Sequence, residues 1–83
     1  DEGDEYTLGR SPQCDFVISD GGVSAIHCKL RNQDGTLQIF DLGSTNGIRL
    51  NKKRLRSHEW VALREGDSVK IGRITLKVSL EEE

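Results

Sequence analysis

The chain has 83 residues, 34% of them hydrophobic and 31% charged, and a formal net charge of −2. That length allows one domain with a small core, and no apolar run approaches the roughly 20 residues of a membrane-spanning helix. The charge is unevenly placed: Asp1, Glu2, Asp4, Glu5 and Glu81 to Glu83 supply 7 of the 14 acidic groups, so residues 6 to 80 carry 12 basic against 7 acidic groups, a net of +5. Such a body suits an anionic partner, although scattered Lys and Arg ordinarily form a solvated surface. The N-terminus lacks the basic-then-apolar pattern of a signal peptide, and because Asp1 is not Met the chain is expected to be a fragment of something longer.

In chain order, residues 1 to 5 are acidic and offer nothing to bury, which predicts a frayed terminus or a turn. Tyr6-Thr7-Leu8 is a short β-prone run, broken by Gly9-Arg10-Ser11-Pro12, where Pro12 removes a ladder donor and biases Ser11 away from helical angles. Arg10 therefore sits at the mouth of a loop. Phe16-Val17-Ile18 fits a buried strand that Ser19-Asp20-Gly21-Gly22 ends with turn chemistry. From Ala25 to Arg31 the chain alternates, with Ile26, Cys28 and Leu30 on one face and Ala25, His27, Lys29 and Arg31 on the other, the pattern of a half-buried strand. Asn32-Gln33-Asp34-Gly35 reads as a hairpin connection, and Leu37, Ile39 and Phe40 resume the strand.

Asp41-Leu42-Gly43-Ser44-Thr45-Asn46-Gly47 then crowds turn-forming residues between two apolar runs. Asn-Gly calls for a tight turn, and Ser44 and Thr45 put two hydroxyls and several free amides at its tip, chemistry that suits an anion. Ile48 and Leu50 flank Arg49 before Asn51-Lys52-Lys53 turns the chain, and Arg54 to Glu59 has no clear pattern. Trp60 to Leu63 supplies the only Trp, expected as a core anchor, and Arg64-Glu65-Gly66-Asp67 forms another turn. Val69, Ile71, the turn Gly72-Arg73, and Ile74, Leu76, Val78 and Leu80 at period two predict a closing hairpin. No window shows helical periodicity. Short strands between regularly spaced turns predict an all-β, antiparallel sandwich forming a single domain over residues 1–83, with its core at about 6–80.

Cys14 and Cys28 are expected as reduced thiols in an intracellular setting, cytoplasmic or nuclear, because nothing else in the chain suggests secretion. With His27 and His58 they show none of the paired spacings of a zinc site, so neither a metal nor a cofactor is expected. Lys52, Lys53, Arg54 and Arg56 form a charged loop without interleaved aromatics or a recognition helix, so no nucleic acid is expected as partner, and no membrane.

Four motifs in order, Gly9-Arg10, Ser24-Ala25-Ile26-His27, the heptad at residues 41–47, and Gly66-Asp67 before a final hairpin, resemble the forkhead-associated (FHA) domain over roughly residues 6 to 80. The resemblance implies an FHA/SMAD-like sandwich whose recognition loops, gathered at one end, bind a phosphothreonine-containing protein or peptide. The isolated domain is expected to be monomeric. Arg10 would supply a cationic fork, Ser24 and Thr45 hydroxyls, and Asn46 a bond to the peptide main chain, while Gly9, His27 and Gly47 would support the loops. An enzyme built on Ser24 and His27 would need a third orienting group that is not in view. The other alternative is a phospho-independent FHA-like interaction scaffold. Ala25 speaks for it, because the family usually has a longer polar side chain there. Two further departures are Ile48, where Thr is common, and a leader too short for the family's usual first strand, which would leave one edge of the C-terminal strand unpaired.

Overall fold

A computed structural model describes residues 3–80, all strand, turn and loop with no helix among them. The strands are β1 (Glu5–Gly9), β2 (Phe16–Val17), β3 (Cys28–Gln33), β4 (Thr36–Asp41), β5 (Ile48–Leu50), β6 (Lys53–Arg54), β7 (Trp60–Ala62), β8 (Ser68–Ile71) and β9 (Ile74–Lys77). They form two sheets, a five-stranded one in the order β2-β1-β3-β4-β7 and a four-stranded one in the order β6-β5-β8-β9. This is the expected sandwich. Every pairing is antiparallel except β1 with β2, where Leu8 lies beside Phe16 and Gly9 beside Val17 in parallel register. A reciprocal clasp makes that short return possible: the Thr7 amide donates to Asp15 Oδ2 at 2.8 Å, and the Asp15 amide donates to Thr7 Oγ1 at 3.1 Å.

Turn chemistry fixes the registers. Asp34 (φ 54°) and Gly35 (φ 77°) both take positive φ between Gln33 and Thr36, the two-residue turn whose twist matches its flanking strands. Asn51 (φ 49°) and Lys52 (φ 75°) do the same between β5 and β6. Asn51 is held there by its side chain, which donates to Asp67 Oδ1 at 3.0 Å and accepts the Ser68 amide at 2.9 Å. The Asn51 side chain and the Arg64 amide together hold the Asp67 carboxyl below the usual carboxylate range.

Between the sheets Leu8, Val23, Cys28, Ile39, Ile48, Leu63, Val69, Ile71 and Val78 form the core. Cys14 and Cys28 are both free and buried. Burial first, then the neighbouring Asp41 charge, pushes the Cys28 thiol up to about 12, leaving it protonated and unreactive at neutral pH.

Several apolar residues do not sit where the sequence predicts. Phe16 and Val17 are 50% and 49% exposed, because β2 is a two-residue strand at the edge of its sheet. Ile26 is 53% exposed, since regular strand begins only at Cys28 and the preceding residues form a loop. Trp60 is no core anchor. It lies half-buried on the outer face of the five-stranded sheet, with the Arg31 guanidinium 3.9 Å from its ring centroid and the Phe40 ring 5.0 Å away. Of the two readings of the N-terminus, the described residues show the turn, at Gly3, whose amide donates to the Asn32 carbonyl at 2.8 Å, and Glu5 pairs with Lys29 at 3.0 Å. Asp1, Glu2 and Glu81 to Glu83 lie outside the described residues. Among the described residues β9 ends its sheet with one edge open, and its Leu76 is 38% exposed.

Candidate functional site

Three loops meet at one end of the sandwich: residues 10–15 after β1, residues 18–27 before β3, and residues 42–47 between β4 and β5. His27 knits the second to the third. Its side chain is fully buried, Nδ1 accepts the Ser24 amide at 3.0 Å, and Nε2 lies 2.8 Å from the Gly47 carbonyl. Because Nδ1 accepts, the ring proton belongs on Nε2, which donates to Gly47. The His27 backbone binds Leu8 and Leu42 as well, at 2.9 and 3.2 Å.

The two glycines flanking this arrangement answer to different constraints, space at Gly9 and backbone angle at Gly47. A Cβ on Gly9 would collide with the backbone of Ala25 and approach Ile26 Cα to 2.9 Å. Gly47 takes φ 72°, and a Cβ there would meet Arg54 Nε at 2.7 Å.

With the loops fixed, Arg10, Ser24, Thr45 and Asn46 line one cleft of about 150 Å³, completed by Gly21, Gly22 and Val23. Arg10 is anchored twice, its amide donating to the Ser24 carbonyl at 3.0 Å and its Nε to the Val23 carbonyl at 3.1 Å. Its terminal guanidinium nitrogens take no hydrogen-bond partner among the described residues. Ser24 Oγ accepts the Thr45 amide at 3.1 Å, which leaves the Ser24 hydroxyl hydrogen free to donate. Asn46 Nδ2 donates to the Gly22 carbonyl at 2.9 Å, so its side-chain oxygen remains available. The cleft is therefore rich in unspent donors around one permanent cation.

Two acidic residues given no site role by the sequence hold this geometry. Asp41, almost fully buried, accepts both the amide and the hydroxyl of Ser44, at 3.0 and 2.7 Å, and so folds the start of the 42–47 loop. An Asp three residues ahead of a Ser is a local turn signal that could have revealed it. Asp20 accepts the Gly22 amide at 2.9 Å and reaches across the sandwich to Arg73 Nε at 3.1 Å. Its partner is far away in sequence, and no local pattern announces it.

The Gly22 amide, followed by the Arg73 contacts, holds the Asp20 carboxyl below its ordinary value of 3.8. A carboxyl lowered in the folded state adds stability above its unfolded value, and that contribution is lost as pH falls through the lower folded value. The melting-temperature gap between the parent and Asp20→Asn is thus expected to stay constant from pH 7 to about pH 4 and to shrink below it. Thermal melts over that range check this, and a gap unchanged at pH 3 would contradict it.

Fold and cleft together define a β-sandwich domain that gathers hydrogen-bond donors between loops at one end. A family model of the FHA domain matches residues 6–72, and the chain belongs to that family. It is 39% identical over 70 residues to an oxoglutarate dehydrogenase inhibitor of Corynebacterium diphtheriae, a match covering 84% of this chain and 47% of that protein. The chain thus spans about half the length of the curated relatives it matches. Among solved structures it is similar to an FHA domain from Chlamydia trachomatis (TM-score 0.89, 30% identity, 99% of this chain and 82% of that one). It is also similar to the N-terminal FHA domain of Rad53p from S. cerevisiae in complex with a phosphothreonine peptide (TM-score 0.76, 31% identity, 83% of this chain and 56% of that one).

Proposed function

We propose that this FHA domain captures phosphothreonine-containing segments of partner proteins in the cleft of Arg10, Ser24, Thr45 and Asn46, and so recruits those partners to a larger protein. The observation that carries the reading is the convergence of all four side chains, from three separate loops, on one small cleft. A phosphothreonine brings a charge of about −1.5 to −2 and three acceptor oxygens. Against it stand the free Arg10 fork, the Ser24 and Thr45 hydroxyls and the neighbouring amides, while Asn46 is placed for the peptide main chain.

The role is binding without catalysis. Both ring nitrogens of His27 are committed to backbone groups, and neither reaches the Ser24 hydroxyl as a general base would. What speaks against the phospho-independent alternative is that Arg10, Ser24, Thr45 and Asn46 are all retained and line one cleft, although Ala25 adds no polar group to it. The free, buried cysteines fit an intracellular setting.

As a member of the FHA family the domain is proposed to lodge the threonine methyl in an apolar niche beside the phosphate. One methyl in a closed niche contributes about 1 to 3 kcal/mol, so a phosphothreonine peptide is expected to bind about tenfold or more tighter than its phosphoserine twin, and the unphosphorylated peptide not measurably. Calorimetric titration of the three peptides tests both levels. Equal phosphothreonine and phosphoserine affinities would remove the methyl niche, and equal binding of the unphosphorylated peptide would remove the proposed function.

A further inference from the structure

The face of the four-stranded sheet that points away from the core is cationic. Arg54 lies opposite Arg49, Arg49 opposite Lys70, and Lys70 opposite Thr75 across adjacent strands. Because Ile48, Val69 and Ile71 are buried, alternation turns Arg49 and Lys70 outward. Like charges set directly across a sheet are destabilising, and two such pairs follow one another here. Lys52 adds a third feature of this kind, since it occupies a turn position at φ 75° that strains lysine and would suit glycine. Among the described residues no carboxylate forms an ion pair with Arg49, Lys52, Arg54 or Lys70; Asp20 is taken by Arg73, and Asp67 by Asn51 and the Arg64 amide.

This face runs on from the phosphothreonine cleft. Asn46 and Gly22, joined at 2.9 Å, form a wall shared with a second hollow of about 310 Å³ that Arg49, Lys70 and Arg73 help to line. Arg49 and Lys70 are shared in turn with a third hollow of about 390 Å³ that extends to Lys52 and Thr75.

We propose that the face binds a tract of acidic residues in the same partner segment whose phosphothreonine occupies the cleft, the chain crossing Asn46 and laying its carboxylates over Arg49, Lys70 and Lys52. The proposal rests on the phosphothreonine reading above. Polypeptide is favoured over nucleic acid because Tyr6, Phe16, Phe40 and Trp60 all belong to the five-stranded sheet, leaving this face no ring on which a base could stack.

The test compares phosphothreonine peptides with neutral Gly/Ser/Ala flanks, with four Glu after the phosphoresidue, and with four Glu before it, alongside the unphosphorylated acidic peptides. Each is titrated at two salt concentrations against the parent, Arg49→Glu, Lys70→Glu and Lys52→Gly. The single charge reversals set opposite charges across the strands, and their melting temperatures are expected to hold or rise. One of the two acidic phosphopeptides is expected to bind about tenfold tighter than the neutral one at low salt, with the gain shrinking at high salt. Arg49→Glu and Lys70→Glu should each remove most of the gain while leaving the neutral phosphopeptide unchanged, and Lys52→Gly should lower the gain while raising the melting temperature.

No gain on either side, or a gain that survives both reversals, overturns the proposal. So does tighter binding of single-stranded DNA or phosphatidylserine vesicles than of either acidic peptide, if that binding is lost on charge reversal. Failure of the neutral phosphopeptide to bind at all is a failure of the phosphothreonine reading instead. In that event the unphosphorylated acidic peptides decide the matter: binding lost in Arg49→Glu upholds the acidic face, and no binding overturns it.

Discussion

Replacing Arg10 by Ala is expected to weaken binding of a phosphothreonine peptide by tens-fold to several hundredfold while the domain stays folded. Arg10 is exposed and outside the core, so its loss opens no cavity. What disappears is the only permanent cation in the lining of the cleft. Hydrogen bonds to a charged group contribute about 1.5 to 3 kcal/mol each, and a factor of ten corresponds to about 1.4 kcal/mol. Arg10→Lys should recover part of the loss by keeping the charge. It gives up the planar fork and the Nε bond to the Val23 carbonyl that aims it. Isothermal calorimetry on the three proteins checks the order parent, Lys, Ala. Parent-like affinity in Arg10→Ala would move the anion site elsewhere.

His27→Ala is expected to act through the fold. The ring is fully buried and satisfies the Ser24 amide and the Gly47 carbonyl, and its removal strands both groups and leaves a void. Each buried unsatisfied group costs about 1 to 3 kcal/mol, so the two together cost about 2 to 6 kcal/mol before the void is counted, a large part of the roughly 5 to 15 kcal/mol of a typical domain. For a domain of this size that lowers the melting temperature by more than about 10 °C. Calorimetric or circular-dichroism melts read it directly, and binding should weaken as a consequence of loosened loops. A variant that melted like the parent yet lost all affinity would make His27 a ligand contact.

Sequence signals match the structure where the structure they encode is itself local. Asp34-Gly35 reads as a tight hairpin turn, and both residues adopt the positive φ that such a turn requires. The heptad at residues 41–47 reads as a shaped loop, and it forms one wall of the cleft. Composition misleads where position in the sheet decides burial. Phe16-Val17 has the composition of a core strand, yet pairing places it at an edge, and apolar runs carry no mark that separates edge from centre. Size alone puts Trp60 in the core. The cations Lys29 and Arg31, both on β3, make the outer sheet face a second stable place for large rings, and that juxtaposition across β4 to β7 depends on register. The Asp20–Arg73 bridge between distant loops is another product of topology that sequence order hides.

The most direct test of the proposed site is amide chemical-shift mapping of the isotopically labelled domain during titration with a phosphothreonine peptide and with its unphosphorylated control. Saturating shifts at Arg10, Ser24, Thr45 and Asn46, together with Gly22, are expected with the phosphopeptide and none with the control, because the cleft's unspent donors answer to the phosphate. Shifts that spare these residues, or that are the same for both peptides, would contradict the assignment of this cleft.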